Sequence, residues 1–273
     1  MASNLNIPIQ SSTIIVIRDS AQGIEVLMTE RNPQMEFGAG ALVFPGGKVE
    51  TEDTRENHTI IDYVLGGLEV SKITALRELF EETGLLYAVT KVKKLVTTNI
   101  QEILVQKFKK SLNQSGKTFA QLLRKEDLTL DLSQLLFVGH WITPEISPQR
   151  FNTKFFLTEA PTGQSLFLDK NEVVTADWLT PMQIIEREKK GTVTLMFPTK
   201  LNILKLARFK TVKEALLPQN WHPVIEVTPY TIKRRGERWL TIPPNAGYEF
   251  FEVKESDIFE FAGIRNAGKQ KKL

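Results

Sequence analysis

Apolar positions along the chain cluster first in two short β-branched runs, "STIIVIRD" from Ser12 and "IEVLMTER" ending at Arg31, separated by "SAQG". This pattern predicts a strand pair joined through Gly23. A glycine- and proline-punctuated stretch, "NPQMEFGAGALVFPGGKVE", follows and leads through polar residues into a helical pattern. Between residues 100 and 127 apolar positions take helical spacing twice, broken at Gly116, which predicts a helical pair. Strand-like runs return at "LLFVGHWI", "RFNTKFFL" and "EVVTADWL". Thr180-Pro181 then has the cap-plus-proline arrangement that starts a helix, with Gly191 after its lysine-rich end. No repeat or low-complexity linker divides the chain. The expected organisation is one mixed α/β domain over 1–235, with a loop insertion near 51–68, a helical insertion near 100–130 and a C-terminal extension over 236–273.

The octapeptide "RELFEETG", Arg77 to Gly84, changes the picture from fold to chemistry. In a helix from about Ser71 to Thr83, Ile73, Leu76 and Phe80 form one stripe with Ala75 and Leu79 beside it. Glu78, Glu81 and Glu82 fall at i, i+3 and i+4 on another. One face packs and the other collects carboxylates, which repel unless something positive lies over them. Clustered hard oxygen ligands suit Mg²⁺ or Mn²⁺. Arg77, four residues before Glu81, can orient it, and the alternative is a solvated face with one Arg–Glu pair. Upstream, "FPGG" from Phe44 to Gly47 lets a loop approach a ligand closely and turn a carbonyl toward a metal; a simple turn is the plainer reading.

Composition narrows the partners. The net charge of +3 and pI near 8.9 are mildly basic, with the excess spread out apart from "KRR" and the terminal "KQKKL", which suits anionic small molecules rather than nucleic acid. The lack of cysteine excludes disulfides and thiol catalysis, and three histidines leave little for a zinc site. The N-terminus lacks a basic segment followed by a long apolar one, and no apolar run approaches membrane-spanning length. The expectation is a cytoplasmic protein that engages no membrane and no nucleic acid, with a homodimer left open. The terminal "KKL" resembles a peroxisomal address too loosely to assign one.

Taken together, these residues resemble the Nudix hydrolase signature, Gly-x5-Glu-x7-Arg-Glu-U-x-Glu-Glu-x-Gly-U with U a bulky apolar residue. Arg77, Glu78, Leu79, Glu81, Glu82, Gly84 and Leu85 match every fixed place of its second half. In the first half, Tyr63 holds the position of the expected glycine and Gly47 lies thirty residues before Arg77, so about sixteen extra residues interrupt the box. The early glutamate's place falls to Glu69 by counting back from Arg77 or to Asp53 by counting on from Gly47. The resemblance implies an α/β/α sandwich with a mixed sheet and metal-dependent hydrolysis of a nucleoside diphosphate derivative. Carried over by position, Glu78 and Glu82 are expected metal ligands, Glu81 a further ligand, and Gly46 a carbonyl donor, while Arg77 fixes a glutamate's rotamer. Glu172 resembles a late-loop glutamate that some members use as ligand or base. For His140 and His222 a packed or capped side chain is the better expectation.

The substrate expectation rests on a second resemblance. "LMTERNPQMEFGAGALVFPGG" has the spacing of the coenzyme A diphosphatase motif: Leu27, Thr29, Arg31 and Gly40 match, Asn32 replaces a serine, and Glu36 stands where the motif has an arginine. Diphosphatases of this branch with an interrupted box also carry an added helical segment and a stretch like "WITPEISPQRFNTKFFL". Arg31 and Arg150, with Lys154, could meet the 3′-phosphate of coenzyme A, and Lys48 is a further substrate-binding candidate. The expected reaction is hydrolysis of coenzyme A or acyl-coenzyme A to 3′,5′-ADP and a 4′-phosphopantetheine product. An ADP-ribose or nucleotide-sugar diphosphatase is the alternative within the class, and a non-catalytic nucleotide sensor the alternative outside it.

Overall fold

The computed structural model describes residues 7–32, 40–55, 67–92, 96–115, 118–145, 147–168, 173–249 and 252–254. The first two apolar runs form the antiparallel hairpin β1 (Ile9–Ser20) and β2 (Gly23–Arg31). Gly23 has φ +103° at its turn, a conformation open mainly to glycine. Two short strands follow, β3 (Leu42–Val43) and β4 (Gly46–Lys48), of which β3 pairs with β2 and β4 with β1. After α1 (Thr51–Arg55) comes α2 (Gly67–Thr83), which holds the charged octapeptide and starts about a turn earlier than its apolar spacing predicts.

The helical pair is present as α3 (Thr98–Ser115) and α4 (Phe119–Lys125), flanked by the small ladder of β5 (Ala88–Thr90) with β6 (Leu128–Leu130). Gly116, where the sequence breaks the pattern, lies outside the described residues. The main sheet is completed by β7 (Leu136–Ile142), β8 (Phe151–Glu159) and β9 (Val173–Leu179), near the three strand-like runs of the sequence. Then come α5 (Pro181–Lys189), α6 (Phe197–Leu206), α7 (Val212–Ala215) and the edge strand β10 (Glu226–Val227). Thr180 caps α5 in a reciprocal box with Gln183, and Gly191 beyond the helix has φ +69°.

The eight-stranded sheet runs β10-β7-β8-β1-β2-β3, with β4 on β1 and β9 on β2. It is mixed, because β1 and β8 are parallel while β1–β2 and β7–β8 are antiparallel. Period-two alternation sends its residues to two separate cores. Ile14, Val16, Leu27 and Phe156 meet Leu76, Leu79 and Phe80 of α2, against which the inserted helices add Phe108 and Phe119. Ile15, Ile17, Met28 and Phe155 meet Ile184, Leu201 and Leu206 of α5 and α6 on the other face. This is a three-layer α/β/α arrangement. The apolar stripe expected of α2 is buried, but so are Arg77, Glu78 and Glu82. The carboxylate face is therefore largely covered, with Glu78 pressed against β4.

The boundary expected between residues 235 and 236 falls in the turn of a hairpin, β11 (Tyr230–Arg234) with β12 (Glu237–Thr241), to which β13 (Glu252–Lys254) adds a third strand. Between β12 and β13, Tyr248 reaches back to the main body. Its hydroxyl accepts from Trp141 Nε1 at 3.1 Å and donates to Asn202 Oδ1 at 3.2 Å, while Asn202 Nδ2 donates to the Pro198 carbonyl at 2.9 Å. Lys205 Nζ lies 4.5 Å from the Trp221 ring centre and 5.4 Å from that of Tyr248. Among the described residues no helix is long and apolar enough to cross a membrane.

Removing the Tyr248 hydroxyl leaves a buried indole N–H and a buried amide oxygen without that partner. Tyr248→Phe should therefore lower stability by about 1–3 kcal/mol in urea denaturation. An unchanged midpoint would show that the relay is incidental.

Candidate active site

Arg77 is the centre of the charged helix. Its side chain is 3% exposed and satisfied on every side. Nε donates to Asp53 Oδ1 at 2.8 Å, Nη2 to Asp53 Oδ2 at 3.0 Å and to the Lys48 carbonyl at 2.9 Å, and Nη1 to Glu81 Oε2 at 2.8 Å. Nη1 also lies 3.0 Å from Glu78 Oε1. The fork of the guanidinium matches the carboxylate of Asp53 bidentately, a geometry that lysine could not supply. Asp53 in turn accepts from the Glu50 N–H and the Thr74 hydroxyl, each at 2.9 Å. A single turn of helix, α1, thus fastens β4 to α2. Arg77 thus pairs with Asp53, the acidic residue reached by counting on from Gly47. Glu69 lies two turns before Arg77 in α2, about 12 Å along the axis.

The three glutamates are disposed around this clamp. Glu78 and Glu82 are 8% and 5% exposed. Glu78 presses on β4 so closely that a Cβ on Gly47 would overlap its carboxylate, which explains the second glycine of the "FPGG" stretch. Gly46 has the same restriction on its other side, where a Cβ would meet the Ser12 carbonyl. Ile14 N–H bonds to the Pro45 carbonyl and Val49 N–H to that of Gln10, so antiparallel alternation puts the Thr13–Gly46 pair between bonded pairs and directs the Gly46 carbonyl away from β1. Burial, reinforced by Glu78, pushes the Glu81 carboxyl up to about 8 despite the neighbouring Arg77.

This donor set suits a hard divalent cation: buried carboxylates on successive turns, the first of them against a strand with a carbonyl to offer. Among the described residues, no three acidic or histidine side chains converge tightly enough to form a ready cage. Glu172, the other acidic candidate, lies outside the described residues. Glu78 and Glu82, with the Gly46 carbonyl, are the groups that could hold the ion. Neither histidine joins them. His140 Nε2 bonds to Asn152 Oδ1 at 2.7 Å, and His222 is exposed beyond Trp221.

A cavity of about 420 Å³ opens on the other face of the sheet, sharing Gly46 and Gly47 as part of its wall. Arg31 and Lys48 line it together with Phe44, Trp141, Phe151 and Phe197. The Nε of Arg31 is buried and lacks a hydrogen-bond partner among the described residues, so a cation is available at an apolar wall. Arg150 is not part of that wall, since its Nε donates to the Thr143 carbonyl at 2.9 Å. The structure thus brings Arg31 and Lys48 to one cavity and leaves Arg150 apart. The aromatic lining was not foreseen from the sequence. It is drawn from β7, β8 and α6, whose side chains meet only through sheet register and helix docking.

A mixed sheet between helical layers, with an arginine-centred helix clamped to a diglycine strand, is the architecture of the Nudix class. Within that class the chain belongs to the family described as the NUDT19 Nudix domain, whose model matches residues 62–206. A Nudix hydrolase from Alicyclobacillus acidocaldarius superposes with a TM-score of 0.68 at 26% identity, covering 77% of this chain and 96% of that one. The chain is 28% identical to nudix hydrolase 7 of Caenorhabditis elegans, over 79% of this chain and 66% of the relative. It is 23% identical to the acyl-coenzyme A diphosphatase NUDT19 of Xenopus laevis, over 72% of this chain and 63% of the relative. The chain thus spans just under two-thirds of the length of these two relatives.

Asp53 should be the most sensitive residue of the clamp. Asp53→Asn would leave the buried Arg77 against a neutral amide and cost about 3 kcal/mol, the lower end for a broken buried pair, because Glu78 and Glu81 remain. Urea denaturation measures the loss. Glu69→Gln should change the midpoint little, and a larger effect at Glu69 than at Asp53 would reverse the assignment.

Proposed function

We propose that this chain is a metal-dependent diphosphatase that cleaves coenzyme A or acyl-coenzyme A to 3′,5′-ADP and a 4′-phosphopantetheine product. The observation that carries the hydrolytic reading is the Arg77–Asp53 clamp, beside which Glu78 is held against Gly47 and Glu82 is buried one turn further along α2. A structural helix gains nothing from burying two mutually repelling carboxylates in this way. Membership of the Nudix class, whose hydrolases generally use divalent ions, supports the same conclusion.

Glu78, Glu82 and the Gly46 carbonyl would hold Mg²⁺ or Mn²⁺, which when bound neutralises the diphosphate and makes an attacking water more acidic. Arg77 holds Glu81 and Glu78 in single rotamers through Nη1 and fixes their distance from β4 through the Lys48 carbonyl. Glu81, the most exposed of the three, is placed to take the proton from the water as its oxygen bonds to phosphorus. The bridging P–O bond breaks and the leaving phosphate departs with the electron pair. Glu172 is the alternative proton acceptor of the sequence reading.

The substrate assignment is supported by the cavity. Its aromatic walls suit an adenine or a thioester arm, and Arg31, half-buried with its Nε unpaired among the described residues, offers a guanidinium to the 3′-phosphate that distinguishes coenzyme A from ADP-ribose. The coenzyme A-like spacing around Arg31 and the name of the Xenopus relative point the same way.

Two measurements test this reading. Glu78→Gln and Glu82→Gln should each lower kcat by about a hundredfold or more, on the order of 3 kcal/mol of transition-state stabilisation, while the folded protein persists. Near-normal turnover of both variants in saturating Mg²⁺ would remove the catalytic reading. For the substrate, kcat/KM on coenzyme A should exceed that on 3′-dephospho-coenzyme A by about tenfold or more, from a charge-assisted contact of about 1.5–3 kcal/mol, and Arg31→Ala should abolish the difference. Faster cleavage of ADP-ribose would reassign the substrate and leave the chemistry intact.

A further inference from the structure

The face of the sheet beneath α2 carries a polar row that starts at the border of the cavity, with Gly47 and Ser12, and runs beyond it across the sheet. The register places Gly47 of β4 opposite Ser12 of β1, Ser12 beside Lys154 of β8, and Lys154 opposite His140 of β7. Directly paired residues point to the same side of a sheet. That side is fixed twice: an added Cβ on Gly47 would run into Glu78 of α2, and Ile14 and Phe156, two residues after Ser12 and Lys154, lie in the core beneath α2. Moving along the row from Glu78, one therefore meets Ser12 and then Lys154.

Two properties mark this row as more than strand-flanking polarity. Ser12 is fully buried, and its Oγ has no hydrogen-bond partner among the described residues, although a hydroxyl left so is costly. Lys154 is partly buried at the centre of the sheet, where loss of solvent alone lowers its pKa, and no carboxylate pairs with it among the described residues. With strands about 4.8 Å apart, the Lys154 Cα lies about 10 Å from that of Gly47, and a lysine's four-carbon stem bridges most of that gap. An anion held beside Glu78 would lie over Ser12 and within reach of the ammonium.

We propose that Lys154 and the Ser12 hydroxyl form an anion subsite that contacts the diphosphate oxygens of the substrate, on the α2 side of the sheet at the point where Ser12 and Gly47 also border the aromatic cavity. The subsite rests on the diphosphatase reading, which supplies the anion. It separates two cationic tasks. Lys154 meets the phosphates common to all nucleoside diphosphate derivatives, whereas Arg31 in the cavity meets what distinguishes one derivative from another.

The test is titration calorimetry of the full chain with inorganic diphosphate in Mg²⁺, compared with thermal denaturation of the same variants. Lys154→Met should weaken diphosphate binding about tenfold at an unchanged Tm, Ser12→Ala should weaken it several-fold, and Lys154→Arg should retain binding within about threefold. In steady-state assays Lys154→Met should impair coenzyme A and 3′-dephospho-coenzyme A by the same factor, unlike Arg31→Ala. Wild-type diphosphate affinity in Lys154→Met overturns the subsite. If Glu82→Gln then still abolishes turnover, the hydrolytic reading survives that result. Weakened binding that Lys154→Arg fails to recover would also overturn it, because the effect would come from the stem and not the charge.

Discussion

The buried ion pair of Arg77 with Asp53 is the contact on which the rest of the site depends. Three elements meet there: β4 through the Lys48 carbonyl, α1 through Asp53, and, from beyond the inserted residues, α2 through Arg77 itself. Removing water from both ions is expensive, and the pair is tolerable because every donor of the guanidinium and both oxygens of the carboxylate are used. The same saturation makes it stiff. Glu78 and Glu81 take their places from Arg77, and Gly47 must be glycine because Glu78 is held where it is. An inserted loop can interrupt the signature between Gly47 and Arg77 without disturbing this arrangement, since the contact that closes it is made by side chains and not by chain continuity.

Much of this was legible in the sequence, and the reasons for success and failure are physical. The hairpin through Gly23, the inserted helical pair and the Thr180-Pro181 helix start are local events, written in adjacent residues by turn chemistry, spacing and capping. The octapeptide was readable because helical geometry alone puts Glu78, Glu81 and Glu82 together. What a helical wheel cannot say is what the second face meets. It showed carboxylates in need of a positive neighbour, while the structure buries Glu78 and Glu82 and sets Glu78 against β4. Counting along the chain could not say either which of Glu69 and Asp53 meets Arg77, because the inserted residues shift the count; the structure shows a bidentate contact with Asp53. The aromatic cavity was invisible for a similar reason, as Phe44, Trp141 and Phe197 become neighbours only through the sheet order and the docking of α6.

The sheet divides the work of the site between its faces. Beneath α2, at the margin of its apolar core, lie the carboxylates and the polar row. Behind β4 lies the cavity, with aromatic walls and its cations at Arg31 and Lys48. Only two residues without side chains, Gly46 and Gly47, separate the two environments. A substrate with a highly charged diphosphate and large neutral ends matches such a division, because each part meets the dielectric surroundings it needs without crossing a thick wall.

The Tyr248 relay has a consequence for the order in which this protein matures as it is made. Trp141, which lines the cavity, is braced from behind by a hydroxyl that enters the chain 107 residues later, and the same hydroxyl reaches α6 through Asn202. A nascent chain that has emerged only as far as α6 can already pair β1 with β8 and close the Arg77 clamp, since all those residues precede it. Its binding wall, however, has nothing yet to join β7 to α6 from the rear. Every residue of the Arg77 clamp thus precedes, in order of synthesis, the hydroxyl that braces the cavity wall from behind.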